Sequence, residues 1–254
     1  MKKIVLIIGL IAFCSNSFSQ ETSVKKDGEN LDLYATLELF KDSKSVEDFE
    51  SQLNSEKSEV NNLDINKDGF VDYIRVIDYT DGDVHTLTLQ VPLSEKEAQD
   101  VAVIELDKDG ETTTAQIVGD EDLYGKDFII EPTTNDLKKA SNVSNWKVVK
   151  HIYAPNYVAW ISPWRYNRHP KIYRRWSPVT AIIYSGRTKR HHVSYRRVNH
   201  HRSNRAQTHY KKHRVHRVVK VHTPANARHK KPVHKPKHKA VHKPKHKQGH
   251  KKHH

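Results

Sequence analysis

The sequence predicts an α+β protein with a small antiparallel sheet of four or five strands, two N-terminal helices and a long disordered basic tail. Three observations support this fold class. Residues 31–53 carry apolar side chains at helical spacing, residues 71–130 alternate with a period of two between Asp/Gly turns, and the chain from Thr188 onward has low complexity. The block before the tail, about 110 residues, is long enough for one modest core.

Two amphipathic helices are predicted first. Leu33, Leu37 and Phe40 recur at spacings of three or four residues, which indicates one buried helical face. Ser45 is placed to cap a second helix, and Asp48 three residues later is a weak capping-box partner. The apolar face of this second helix consists of Val46, Phe49 and Leu53.

The strands follow in two hairpins and one further segment. The predicted strands are residues 71–79, 85–91, 101–106, 112–118 and 128–130. Asp-Gly sequences at residues 81–83 and 107–110 separate the members of each pair, as is typical of tight hairpin turns. The pattern therefore predicts antiparallel pairing between consecutive strands.

An export signal is predicted at residues 1–19. Two lysines precede an apolar run at residues 4–13, and serines stand at the −3 and −1 positions of a cut before Gln20. An apolar run of this length is too short to span a bilayer. We therefore expect an exported protein of the periplasm, the cell envelope or the extracellular space, with a flexible N-terminus at residues 20–27.

Sulfur chemistry is excluded from the mature chain. Cys14 is the only cysteine and Met1 the only methionine, and both lie in the predicted signal. The mature protein therefore has no disulfide, no thiolate ligand and no thioether. This excludes cysteine-based zinc sites, haem attachment and copper(I) sites of the Met/Cys kind.

Charge divides the chain into two parts of opposite sign. All 30 Asp and Glu lie between residues 21 and 136, whereas residues 151–254 carry 28 Lys and Arg and no acid. Such asymmetry predicts an acidic folded part joined to a basic interaction tail. We place an acidic α+β domain at residues 28–140, an aromatic and basic transition segment at 141–187, and the disordered His/Lys/Arg-rich tail at 188–254.

Four stretches carry a resemblance to a known group of proteins. They read NLDLYATLELFKDSKSVEDFESQLN, NNLDINKDGFVDYIRV, QDVAVIELDKDG and QIVGDEDLYGKDFIIEP. Together they resemble a recurrent group of uncharacterised secreted proteins from Bacteroidota-type bacteria, over roughly residues 28–132 and more loosely beyond. The resemblance implies export and the same domain boundaries, and the group has no established activity to carry over.

A calcium-like loop lies between the helices and the sheet. In the stretch LDINKDGFVDYI, oxygen-bearing side chains recur every second residue before a glycine. Calcium takes six to eight oxygen ligands, and this spacing suits it. The candidate ligands are the side chains of Asp64, Asn66, Asp68 and Asp72 and the backbone carbonyl of Phe70.

The loop is not an EF-hand. Arg75 occupies the twelfth position, where an EF-hand requires a bidentate glutamate, and the following residues indicate a strand rather than a helix. An incomplete ligand set predicts weak binding, in the 10⁻⁴–10⁻³ M class of extracellular modules, and a structural role. The alternative is an ordinary polar turn, because Asn, Asp and Gly also form turns without a metal.

The transition segment at residues 141–187 contains all four tryptophans, interleaved with arginine and tyrosine. Three interpretations compete: stacking on sugars, bases or lipid headgroups, an interfacial belt at a membrane, or packing back on the domain as extra strands. Periodic apolar residues favour the last interpretation for part of the segment. These residues are Val148, Ile152, Val158, Ile161, Ile182 and Ile183.

The excess of Lys and Arg in the tail predicts that it binds polyanions. Lys and Arg neutralise phosphates with release of counterions, which gives tight, salt-sensitive binding without sequence preference. The candidate residues are Arg196, Arg197, Arg202, Lys211, Lys212, Arg214, Lys235, Lys237, Lys243 and Lys245. The expected partners are anionic envelope polymers or a membrane surface, and the tail could also contact its own acidic domain. A solvated arm without a specific partner is the remaining alternative.

Histidine adds a second possible ligand class. The tail holds 16 of the 19 histidines, and imidazole binds Zn, Ni and Cu(II). The spacing of three intervening residues allows low-affinity chelation by His234, His238, His242, His246 and His250. Mild acidification also adds charge to these side chains, so polyanion binding should strengthen near pH 6.5.

The function expected from the sequence is therefore not enzymatic. The chain contains no phosphate loop, nucleophile elbow or zinc-hydrolase motif, and His85 and His151 stand alone in the folded part. We expect an envelope protein in which the acidic domain acts as an adaptor and the tail binds anionic surface polymers. The alternative is a periplasmic buffer or delivery protein for Zn, Ni or Cu.

Overall fold

A six-stranded antiparallel sheet organises the protein, as described by a computed structural model for residues 30–133 and 143–215. The strands are β1 Arg75–Asp81, β2 Val84–Pro92, β3 Ala98–Asp109, β4 Thr112–Gly119, β5 Ile129–Pro132 and β6 Tyr195–Val198. Each strand pairs with its neighbour in sequence order, from β1 to β6. The predicted α+β class with an antiparallel sheet is confirmed, whereas the predicted number of strands is wrong.

Six helical segments surround the sheet in these residues. They are α1 Leu33–Asp42, α2 Val46–Leu53, the single turn α3 Glu121–Tyr124, α4 Lys147–Ile152, α5 Ala181–Thr188 and α6 Asn204–His213. Short 3₁₀ segments lie at Glu56–Ser58, Val143–Asn145 and Lys189–Ser194. Only α1 and α2 were expected, because the later helices are short or strongly basic. No helix in the described ranges is both long and apolar enough to cross a membrane.

The first two helices form as their caps and apolar spacing predict. The Asp32 carboxylate accepts a hydrogen bond from the Ala35 amide at 3.0 Å, and the Ser45 hydroxyl accepts one from the Asp48 amide at 3.1 Å. The rings of Phe40 and Phe49 meet edge to face with centroids 5.2 Å apart. This contact joins α1 to α2 over the sheet.

Two glycines shape the tight hairpins. Gly82 follows β1 with φ of 60°, and Gly110 follows β3 with φ of 57°. Positive φ at the first central residue matches the type II′ turn, which suits the right-handed twist of the strands. The register that follows pairs Asp81 with Val84 and Asp109 with Thr112.

One face of the sheet is apolar and lies under the helices. The register aligns Leu87, Ile104 and Ile117 across the central strands, and all three side chains are fully buried. They belong to one core that also contains Phe40 and Trp146. Burial of large apolar side chains contributes about 1.5–3 kcal/mol each, which makes this face the main source of stability.

The opposite face of the sheet is polar, and it is also buried. Its side chains include Thr86, Thr88, Gln90, Asp100, Glu105, Gln116 and Glu131, each no more than 4% exposed. The alternation of Thr86, Thr88 and Gln90 with apolar residues predicts a strand that is buried on one face only, whereas the structure buries both faces. Helix α6 packs across β2 and β3 on this face. We call residues 158–215, which contain α5, β6 and α6, the basic arm; it carries 15 Lys and Arg and no acid.

The prediction of a disordered tail from residue 188 is wrong for residues 188–215. Tyr195 in β6 and Ala206, His209 and Tyr210 in α6 are buried. The composition of this stretch is basic, and a single sign of charge normally opposes packing. Here the carboxylates of the sheet neutralise the arm, so burial becomes possible. Residues 1–29, 134–142 and 216–254 lie outside the described residues, and with them the predicted signal peptide, the flexible N-terminus and the histidine repeat.

The transition segment packs on the domain over most of its described length, but only in part through the predicted apolar side chains. Val148 and Ile152 are buried, but in helix α4 rather than in a strand. The Ser162 amide donates to the Val76 carbonyl at 3.0 Å, which lays the arm along the edge of β1. Beyond this contact Ile182 is 85% exposed, so the prediction of packing fails for the later isoleucines. The exposed members of the set are Val158, Ile161, Ile182 and Ile183.

Candidate functional site

The calcium-like loop is closed by its own backbone amides. The Asp68 amide donates to the Asp64 carboxylate at 3.0 Å and to the Asn66 side-chain oxygen at 2.9 Å. The Gly69 amide donates to the other Asp64 oxygen at 3.0 Å. Lys67 and Gly69 both have positive φ, of 60° and 82°, which produces the tight bend. The predicted side-chain ligands therefore shape the turn themselves.

Asp72 and Phe70 lie at the exit of the loop. The buried Asp72 carboxylate accepts the Ile65 amide at 2.5 Å. Burial, with the nearby carboxylates of Asp64 and Asp68, raises the pKa of Asp72 to about 6. The Phe70 amide donates to Asp68 at 3.0 Å. The proximity of several carboxylates around the loop is thus real, and together with burial it disfavours ionisation of Asp72.

A cation from the basic arm meets this loop. The Arg175 guanidinium binds the second Asp68 oxygen at 2.5 Å and lies 4.1 Å over the Phe70 ring. The Val71 amide donates to the Trp176 carbonyl at 2.9 Å, which fixes this part of the arm. Among the described residues no group of three or more His, Cys, Asp or Glu side chains is placed to hold a metal ion. Calcium binding stays a prediction, and calcium would compete with Arg175 for Asp68.

Two of the predicted polyanion-binding arginines bind the same carboxylate of the sheet. Arg196 and Arg202 both contact the Glu131 carboxylate, at 2.8 and 2.7 Å. Burial alone raises the pKa of a carboxyl, but hydrogen bonds from Arg202, Arg196 and Gln116 hold the pKa of Glu131 at about 2. This cluster joins β5 to β6 and to the segment before α6.

Of the other predicted cations, two contact side chains of the domain and two are exposed. Arg214 binds the buried Asp120 carboxylate at 2.9 Å. Arg197 lies 4.2 Å over the Phe128 ring. Lys211 and Lys212 stand exposed in the last turn of α6. The remaining four, Lys235, Lys237, Lys243 and Lys245, lie outside the described residues.

Further polar contacts, which the sequence did not predict, hold the arm on the sheet. The Ser203 hydroxyl donates to Asp107 at 2.5 Å, and Arg205 binds the same carboxylate. His201 contacts Glu105 at 2.8 Å and His209 contacts the Thr86 hydroxyl at 3.0 Å. The strand alternation carried the signal for these partners, because it places the polar side chains of β2 and β3 on one face.

Asp100 receives the end of the described arm. Its carboxylate accepts hydrogen bonds from the Gln90 amide group at 2.6 Å and from the Val215 backbone at 2.7 Å. Burial raises the pKa of Asp100 to about 6 despite these hydrogen bonds. The Tyr210 hydroxyl, 3.4 Å away, lies beside it. The residues after α6 are therefore tied to the centre of the polar face.

Glu50 anchors the start of the arm. Its buried carboxylate accepts hydrogen bonds from the Trp160 indole at 2.9 Å and the Ser162 hydroxyl at 2.8 Å. It also accepts the Tyr73 hydroxyl and the Val76 amide, each at 2.9 Å. Burial raises the pKa of Glu50. One carboxylate from α2 thus binds both the sheet edge and the arm.

His85 and His213 both contact side chains of the domain. His85 contacts the buried Asp78 carboxylate at 2.9 Å, and Tyr157 donates to the same oxygen at 2.7 Å. His213 stacks on Tyr79 with ring centroids 4.3 Å apart. The five histidines predicted to chelate metals, from His234 to His250, lie outside the described residues.

Comparison with known proteins found no similar protein. No protein-family model, no curated protein and no solved structure matches this chain. The site must therefore be interpreted from its own charges, contacts and burial.

Proposed function

We propose that the protein is a non-enzymatic, exported cell-envelope protein that binds anionic surface polymers through its basic C-terminal part. The polymers in question are lipopolysaccharide phosphates, acidic polysaccharide or extracellular DNA. The observation that carries the proposal is the charge distribution, with 28 Lys and Arg and no acid in residues 151–254. A long stretch of one sign is the electrostatic feature that polyanions recognise.

The anchoring of the arm supports this proposal. Glu131, Asp107 and Asp120 each bind arginines of the arm, so part of its charge is neutralised by the acidic domain. Other cations of the arm are exposed at the surface: Arg165, Arg168, Lys171, Arg174, Lys189, Lys211 and Lys212. Cations on an anchored chain lose less conformational freedom on binding than cations on a free one. The acidic domain then serves as the adaptor that displays them.

Salt dependence tests the proposal. The full-length protein should be retained on an immobilised acidic polysaccharide at low salt and released as salt rises, with a linear fall of log affinity against log salt. The K211Q/K212Q variant should elute at lower salt than the wild type. The matched control K44Q/K96Q removes two exposed lysines from the acidic domain and should elute with the wild type. Equal elution of both variants, or retention that does not depend on salt, contradicts the proposal.

The competing proposal is a buffer or delivery protein for Zn, Ni or Cu. The regular His spacing between His234 and His250 supports it. Envelope retention that is lost in EDTA but indifferent to salt, with metal sensitivity in a strain lacking residues 216–254, would favour the metal role. Retention that is lost in salt but indifferent to EDTA would favour the polymer role.

A further inference from the structure

A cleft of about 380 Å³ lies where helix α2 ends and the basic arm passes over it. The domain contributes the end of α2, the following 3₁₀ turn and Tyr73, and the arm contributes Pro170, Ile172, Tyr173 and Arg174. This volume falls in the range of small-molecule sites, about 300–1,000 Å³. The cleft adjoins the calcium-like loop, with which it shares Tyr73, and its lining includes none of the arginines that bind the sheet.

The apolar side of the cleft is rigid. The rings of Tyr73 and Tyr173 pack edge to face with centroids 5.1 Å apart. Tyr73 donates its hydroxyl to Glu50, and Tyr173 donates to the Val71 carbonyl, so both rings are fixed by their polar ends. Pro170 and Ile172 continue this side, and Ile172 is 78% exposed. A rigid apolar surface with aromatic rings can receive the C–H groups of a sugar ring.

The polar side of the cleft carries two cations and one acid. Ser51, Ser55, Glu56 and Lys57 line it from the domain. Arg174 lines it from the arm, and its Nη1 donates to the Lys171 and Tyr173 carbonyls at 2.8 and 3.2 Å. These two bonds hold the guanidinium in position, which lowers the entropy cost of binding a carboxylate.

We propose that this cleft binds one hexuronic acid unit of an acidic polysaccharide. The sugar ring packs on Tyr173, Pro170 and Ile172, and its carboxylate binds Arg174 and Lys57. Glu56 and the two serines bind the ring hydroxyls. An excess of one positive charge matches a carboxylate better than a doubly charged phosphate. This inference rests on the proposed function, because it names the polymer class that the basic surface would hold.

Titration of the full-length protein with tetragalacturonate tests the cleft. R174Q should weaken binding about tenfold, because a charge-assisted hydrogen bond is lost. I172S should weaken it about fivefold through loss of apolar contact. K171Q is the matched control, since Lys171 is exposed on the same turn, does not line the cleft and keeps its backbone carbonyl. It should change affinity by about twofold or less. Maltotetraose, which lacks carboxylates, should not bind measurably.

The outcomes separate the two proposals. If R174Q and K171Q weaken tetragalacturonate binding equally, with unchanged circular dichroism spectra, the proposed hexuronic acid site is overturned. Polymer binding by diffuse charge then remains. Displacement of tetragalacturonate by equimolar inorganic phosphate overturns the sugar assignment in favour of a phosphate site. Absence of tetragalacturonate binding, while the long polymer is still retained, also overturns the cleft. If the full-length wild-type protein is not retained on the immobilised polymer at low salt, the proposed function itself is overturned.

Discussion

The two faces of the sheet are both buried, but by opposite chemistry. The face under α1, α2 and α4 is covered by hydrocarbon, with Phe40, Leu87 and Ile104 fully buried. The face under α6 is covered by hydrogen bonds and ion pairs, in which Glu131 and Asp107 bind arginines. Apolar burial depends little on pH or on moderate concentrations of a neutral salt, whereas ion pairs depend on both. A basic segment can therefore complete a fold when the sheet supplies the counter-charges.

The largest expected effect comes from breaking the apolar face. Phe40→Ala should lower the free energy of unfolding by about 3–5 kcal/mol, because it leaves a cavity against Phe49 and Trp146. Urea unfolding at low and high salt should give the same loss. Ile182→Ala is the control and should change stability by less than about 0.5 kcal/mol, since that side chain is 85% exposed. A loss that depends strongly on salt would contradict the assignment of this face.

A smaller effect is expected from breaking the charged face. Glu131→Gln should lower the free energy of unfolding by about 1–3 kcal/mol, because Arg196 and Arg202 lose their shared partner. The side chains of these arginines are 43% and 41% exposed, so water compensates in part. Unlike the loss in Phe40→Ala, this loss should shrink in high salt. Glu97→Gln at the surface is the control, and an equal loss there would remove any special role for Glu131.

The pH dependence should differ between carboxylates of the same face. The pKa of folded Asp100 is raised to about 6, above the ordinary 3.8, so the folded state gains stability as pH falls from about 6 towards 3.8. The pKa of Glu131 is lowered to about 2 from the ordinary 4.5, so its contribution is present above 4.5 and lost as pH falls towards 2. Between pH 7.5 and 5 Asp100 is therefore the one of these two carboxylates that titrates, whereas His209 on the same face, whose pKa burial lowers, acts in the opposite direction.

The Asp100→Asn variant isolates the effect of Asp100. Relative to the variant, the wild type should gain stability on the order of 1 kcal/mol between pH 7.5 and pH 5, measured by urea unfolding. Asp109→Asn at the exposed hairpin should show no such change relative to the wild type. A wild type that loses stability relative to Asp100→Asn over this range would reverse the sign and refute the assignment.

The smallest effect lies off both faces, at the calcium-like loop. Calcium at about 10 mM should raise stability by about 1 kcal/mol if the affinity is in the millimolar class. Arg175→Gln should strengthen binding, because it frees Asp68, and Asp64→Asn should weaken it. Titration calorimetry and melting curves measure both. If calcium at this concentration produces no heat and no shift in melting temperature, the loop is only a polar turn.

Local signals predicted the first part of the fold. These signals depend only on neighbouring residues, and the structure places them as expected. They are the Ser45 cap, the helical spacing that buries Phe40, and the turns at Gly82 and Gly110. Such features require no knowledge of distant partners, since each follows from backbone geometry and one buried face.

The rest depended on contacts that a local pattern does not contain. Strand β6 pairs with β5 across about 60 residues, and its exposed Arg196 and Arg197 make it resemble a solvated tail. Helix α6 did carry a signal, because Ala206, His209 and Tyr210 recur at helical spacing. Its lysines and histidines concealed that signal. In the candidate site, the sequence predicts the acidic turn at the loop but not Arg175, which reaches Asp68 from 107 residues away.

The position of β6 has a consequence for how the protein is made. Synthesis begins at the N-terminus, so the partner of β5 emerges only when residues 195–198 do. Until then Ile129 and Ile130 border an open edge that other chains could pair with. Long delays before an edge is covered favour aggregation. The basic arm therefore also acts as the final closing piece of a growing chain, and truncation before residue 195 should yield an association-prone product.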